Sequence, residues 1–223
     1  MDNLHKANLQ PRQELREQIV STALSLFTTQ GIKGITMDDI ASAMGISKRT
    51  LYEVFADKET LLLECMDMSK AGTTNYMKEV SDSSANVMEV LLKLYQASLE
   101  QLHKVNPKFF EDIKKYPRVS REIERHRNAE AAERMAFYRM GMKQGFFRED
   151  INLDIVNDLV FTQLDQLVSS SNELMHKYSF REVYETIMFT YLRGITTDSG
   201  ARMLDVFIQS HRNNNQNNIS ISI

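Results

Sequence analysis

Lys48 and Arg49 follow directly on Ser47, a helix-capping residue type, within GISKRTLYEVFADKETLL at residues 45–62. Two cations in a first helical turn oppose the helix dipole, which favours acids there by roughly 0.3–1 kcal/mol. A phosphate beside the same N-terminus reverses that balance, because it accepts from free backbone N–H groups and pairs with either cation. At about 100° per residue, Leu51, Val54 and Phe55 share one arc. Arg49, Tyr52 and Glu53 point the other way, with Lys48 at the edge and Thr50 on the flank. A helix of two turns is not stable alone. Mounted on a rigid core, it has the dimensions of a probe for the DNA major groove, about 12 Å wide. The competing reading is a pair of plain solvated cations.

The elements that must hold this helix have their own signals. Leu15, Ile19, Ala23, Leu26 and Phe27 recur at helical spacing over 13–30, and Gly31 is a natural stop. Thr36 suits the cap of a second short helix, with Asp38 and Asp39 in its first turn and Ile40, Ala41 and Met44 on its inner face. Gly45 supplies a tight turn, Ser47 caps a third helix over 48–55, and Asp57 caps a fourth from Lys58 to about residue 81. Further helices are predicted at 86–105, 107–115, 119–145, 153–170, 180–194 and 199–211, with Pro107 at a first helical position and Pro117 helping to end that short helix. Residues 1–10 read as a loose arm, and the Asn-rich tail as disordered. The lengthening of the helices after residue 57 divides the chain into a three-helix, helix-turn-helix domain at 1–57, a larger helical domain at 58–211 and a polar tail at 212–223.

Composition agrees with an all-α protein. Leu, Met, Ala, Glu, Lys and Gln dominate, while the 223 residues hold only 8 glycines and 3 prolines and no recurring strand-like alternation. No apolar run approaches the ~18 residues of a membrane helix and no signal-peptide pattern opens the chain, so the expected location is the cytoplasm, at the nucleoid if DNA is the partner. Cys65 is the only cysteine, which leaves no intrachain disulfide and no cysteine-rich metal site. The five histidines are scattered, without His-x-x-x-His spacing, and neither a Gly-rich phosphate loop nor a nucleophile elbow is present. An enzyme, a metal site and a cofactor therefore have little support. The net charge of −3 excludes a basic coat, so DNA binding must come from a local arrangement.

The run from Thr36 to Leu61, with Ile40-Ala41, Gly45-Ile46-Ser47, Leu51-Tyr52, Phe55 and Lys58 in order, resembles the N-terminal signature of TetR-family transcriptional regulators over about 45 residues. The resemblance implies that Thr36, Thr50 and Lys58 touch phosphates, and that Lys48, Arg49 and Tyr52 approach bases or the backbone at the groove edge. Ser47, at the start of the reading helix, belongs to the same set. Glu53 faces the groove too, where an acid either accepts from cytosine N4 or repels phosphate. Val54 departs from the family, which often has a phosphate-contacting His or Tyr there, and Arg49 replaces a common Gly.

The resemblance also implies a homodimer on a roughly palindromic double-stranded operator and a small-molecule effector, apolar or amphipathic, held in the larger domain. Dimer candidates are Val160, Leu164, Leu167, Ile187 and Tyr191, on two helices whose apolar faces exceed one stripe. Pocket candidates are Met88, Leu92, Tyr95, Phe110, Tyr116, Met135, Tyr138 and Met142, although Met and aromatic stripes also make plain core. Repression is the family's commoner mode. Activation, or an all-α interaction module without DNA binding, are the alternatives.

Overall fold

A computed structural model describes residues 2–102, 104–167, 174 and 177–220, with side chains described between residues 12 and 210. Among them the helices are α1 (Asp2–Gln30), α2 (Met37–Ala43), α3 (Lys48–Val54), α4 (Lys58–Asp82), α5 (Val87–Leu102), α6 (Pro107–Ile113), α7 (Pro117–Ala129), α8 (Ala131–Lys143), α9 (Leu153–Leu167), α10 (Phe180–Ile195) and α11 (Asp198–Ser220). No strand occurs among the described residues; a single antiparallel bridge joins Phe147 and Thr196.

The chain divides into two compact units, Met1–Asn75 with Lys104–Asn128, and Tyr76–His103 with Ala129–Ile223. The first is built on a core of Ile19, Val20, Ala23 and Phe27 from α1, Ile40 and Ala41 from α2, Leu51 from α3 and Leu61, Leu62 and Cys65 from α4, closed by Phe55, Phe109 and Val119. Each large apolar side chain buried this way contributes about 1.5–3 kcal/mol, which is how helices of seven residues are held. α6 docks onto the same unit through polar contacts. The Asn106 amide donates to Thr28 O at 2.7 Å, and the Lys33 amide donates to Asp112 Oδ2 at 2.7 Å. Burial opposes the charge on Asp112, yet Lys115 and the Lys33 amide hold its carboxyl below the usual range.

The second unit has two neighbouring apolar clusters, one around Met88, Leu92, Tyr138, Phe147, Leu192 and Leu204 and one around Tyr95, Leu99, Leu167, Val183 and Tyr184. In α8, Gly141 lies so close under the Phe147 ring that a Cβ would overlap it. Phe147 is fully buried as a result.

Several sequence-based boundaries are corrected. The single helix predicted over 119–145 is two, because Glu130 (ψ −3°) interrupts the ladder between α7 and α8. Neither Gly nor Pro marks that break, so apolar periodicity runs through it. Pro117 opens α7 and does not merely end α6; its missing N–H costs nothing at a first helical position. The backbone is helical from Asp2 and on to Ser220, where a loose arm and a disordered tail were predicted. Nothing between Ala201 and Ser220 is Gly or Pro, so no breaker stops that helix. Residues 168–170 of the predicted ninth helix and 221–223 of the tail lie outside the described residues.

Candidate nucleic-acid interface

Two short helices set up the candidate interface. Thr36 closes a capping box on α2: its Oγ1 accepts from the Asp39 amide at 3.1 Å, and Asp39 Oδ2 accepts from the Thr36 amide at 2.8 Å and from its hydroxyl at 2.7 Å. These bonds hold the Asp39 carboxyl below its ordinary range. The chain then turns at Gly45, whose φ of +65° is a left-handed conformation that side chains disfavour. The Ile46 amide donates back to Ala41 O at 3.0 Å, fixing α3 against α2. Ser47 caps α3, accepting from the Thr50 amide at 3.0 Å, and its hydroxyl lies 2.8 Å from Thr50 Oγ1.

Leu51 and the C-capping Phe55 are completely buried, and the half-buried Val54 packs beside them. That anchoring leaves Lys48, Arg49, Tyr52 and Glu53 exposed together on the opposite face. Tyr52 is 44% exposed, too open for a core residue of its size. Lys48 Nζ pairs with Asp38 Oδ2 at 2.8 Å, and Arg49 Nε with Glu53 Oε1 at 2.9 Å, one helical turn on. The hydrogen bond from Lys48 to Asp38 raises the lysine above its ordinary pKa, so it stays cationic. The face is thus charge-balanced in the free protein, and any anion that came to Lys48 or Arg49 would have to exchange with Asp38 or Glu53.

Lys58 is held differently. Its ammonium is half-buried, donates to the carbonyl oxygens of Ile32 and Ile35, and lies 5.7 Å from the Phe27 ring centroid. Burial lowers its pKa, partly offset by Asp112 and Asp39. In this arrangement it ties the α1–α2 connection to the start of α4. Asp57, one residue earlier, caps α4 through the Thr60 amide at 2.7 Å. A residue without sequence signal completes the support: Arg16 donates to Val54 O at 3.2 Å, pairs with Glu64, and stacks 4.5 Å from the Phe55 ring centroid. Those partners lie 38 to 48 residues away in the chain, beyond any local pattern.

The other candidates fall in several places. Met88, Leu92 and Tyr138 are buried in one cluster of the second unit, with Met135 and Met142 packed against it. Tyr95 belongs to the neighbouring cluster and stacks on Tyr184, with ring centroids 5.9 Å apart. Phe110 and Tyr116 are not brought to these residues: both pack in the core of the first unit, Phe110 edge-on to Phe109. Tyr138 donates to Asn157 Oδ1 at 3.0 Å and shares a hydrogen bond with Tyr191, a polar cluster set among apolar side chains. Burial raises the pKa of both phenols. Among the dimer candidates, Leu164, Leu167 and Ile187 pack within their own unit and Val160 is half-buried. The most open apolar positions on α9 are Ile155 and Leu159, exposed by 58% and 59%, followed by Phe161 at 37%.

Comparison with known proteins bears on this arrangement. Residues 19–65 match the family described as bacterial regulatory proteins, tetR family. Over 147 residues, 63% of this chain and 73% of the relative, the sequence is 28% identical to the HTH-type transcriptional repressor KstR2 of Mycobacterium tuberculosis. The solved structure of that ketosteroid transcriptional regulator superimposes with a TM-score of 0.57 at 25% identity, covering 82% of this chain and 95% of that one. A transcriptional regulator from Saccharomonospora viridis, solved in complex with choline, shares the fold at 21% identity with a TM-score of 0.68, over 83% of this chain and 99% of its own.

Proposed function

We propose that this protein, which belongs to the tetR family of bacterial regulatory proteins and is a DNA-binding transcriptional regulator, not an enzyme, represses its target as a homodimer on a palindromic operator. The observation that carries the reading is the outer face of α3. Lys48, Arg49, Tyr52 and Glu53 stand exposed on a helix whose other side is fixed by Leu51 and Phe55. The N-terminal residues of the second helix of a helix-turn-helix are those that meet base edges. Thr36, Ser47 and Thr50 supply hydroxyls for phosphates at the helix starts, and Lys58 contributes once it exchanges its carbonyl partners for a phosphate.

The dimer is assigned to α9 and α10 through the open Ile155 and Leu159 and the half-buried Val160. Leu164, Leu167 and Ile187 pack inside the unit and Tyr191 bonds to Tyr138, so these four candidates are not carried into the interface. Repression is relieved by a small apolar or amphipathic effector in the second unit, around Met88, Leu92, Met135, Tyr138 and Met142. The Tyr138–Asn157–Tyr191 cluster offers that effector polar partners within an aromatic lining. KstR2 is named as a ketosteroid regulator, and a rigid, mostly apolar molecule with few polar groups suits such a lining. Release requires that the effector bind the DNA-competent and incompetent states with unequal affinity.

A mobility shift on DNA flanking the protein's own gene tests the reading. Wild type is expected to retard the fragment with strong salt dependence, and Tyr52→Ala to bind about tenfold more weakly while keeping its helical content. Absence of retardation at low salt would overturn it.

A further inference from the structure

Away from the reading face, the first unit holds a mixed set of ligating groups. Asp67 on α4 and Glu122 and His126 on α7 each present one ligand atom, and the three atoms lie within 4.8 Å of one another. Glu122 and His126 are one turn apart on the same helix face, with the imidazole Nε2 2.9 Å from Glu122 Oε1. Both side chains are partly buried, 27% and 22% exposed, so the ring and the carboxylate are held near one position. α7 is itself anchored, with Val119 fully buried in the core that also contains Leu61, Leu62 and Cys65 of α4.

We propose that Asp67, Glu122 and His126 form a site for a divalent transition-metal ion of the Zn2+, Co2+ or Ni2+ class. One imidazole nitrogen and two carboxylate oxygens are a borderline donor set that suits these ions better than Ca2+ or Mg2+, which take oxygen ligands alone. Water completes the coordination. The ion binds neutral His126 and displaces Arg125, which now pairs with Glu122, while Lys70 and Arg125 remain nearby as counter-charges to the two acids. The site joins two helices of one unit, about two and a half turns beyond the start of α4. Sequence reading passes over it because its pattern is Glu-x-x-x-His on one helix plus an acid 55 residues earlier.

The test is titration of the full chain with CoCl2, followed by visible absorption and by calorimetry. The expected result is one equivalent bound per chain and a thermal midpoint that rises with Co2+. His126→Ala and the near-isosteric Asp67→Asn should each weaken binding by more than about tenfold and abolish the thermal shift, with helical content unchanged. No stoichiometric binding by wild type, or undiminished binding by His126→Ala or Asp67→Asn, overturns the site.

Discussion

Lys48 Nζ stands 2.8 Å from Asp38 Oδ2, so the first cation of the reading helix is tethered to the first turn of the helix before it. Both side chains are more than half exposed, and such a pair is readily exchanged for another. The two cations that open α3 are therefore neutralised at rest by Asp38 and Glu53; under the proposed function they become available when DNA displaces the acids. The dipole conflict visible in the sequence is settled by side chains of the same small domain.

Asp38→Asn should free Lys48. Operator affinity is expected to rise severalfold at low salt, and the dependence of log affinity on log salt to steepen by about one unit per reading head. The thermal midpoint should hardly move. Fluorescence anisotropy at several salt concentrations checks this, and an unchanged slope would show that Lys48 meets no phosphate.

Asp57 gives a pH signature. The Thr60 amide holds its carboxyl below the ordinary 3.8, so the cap's ionic contribution is complete above the unfolded pKa and is lost as pH falls through the lower folded value. Asp57→Asn keeps a capping oxygen but removes the charge, and should cost about 0.5 kcal/mol at neutral pH. Denaturant melts of both proteins should show a constant gap between about pH 7 and pH 5 that closes in stronger acid. A gap that widens on acidification contradicts this assignment.

The proposed dimer makes a direct demand on α9. Replacing Ile155 and Leu159 together by Glu adds charge at two positions already exposed in the single chain, so folding should survive while self-association fails. Light scattering is expected to report monomers, and operator binding to weaken at least tenfold, because two linked heads bind with a high effective concentration. A dimer that persists moves the interface elsewhere.

Gly141 should not tolerate a side chain. Alanine improves helix propensity by about 1 kcal/mol, but its Cβ would overlap the Phe147 ring, and overpacking a filled core typically costs about 1–3 kcal/mol. A lowered thermal midpoint is expected for Gly141→Ala. Adding Phe147→Val should be less harmful in that background than in wild type, because the two positions share one space.

The sequence by itself determined the helical class, the caps at Thr36, Ser47 and Asp57, and the division of α3 into an anchored and an exposed face. All of these depend on residues within a turn or two of one another, where spacing and side-chain chemistry suffice. Tertiary structure alone decided the rest. Phe110 and Tyr116 look like companions of Met88 and Tyr138 by composition, yet they pack in the first unit because α6 docks there through Asn106 and Asp112. Leu164, Leu167 and Ile187 are apolar like Ile155 and Leu159, and only packing against Tyr95 and Tyr184 separates buried from open positions on α9 and α10. Lys58 matches a phosphate-binding position in sequence, but in the free chain its ammonium satisfies the carbonyls of Ile32 and Ile35. Helix formation depends on neighbours in the chain; the partner each face finds depends on contacts between segments tens of residues apart, and local patterns carry no record of those.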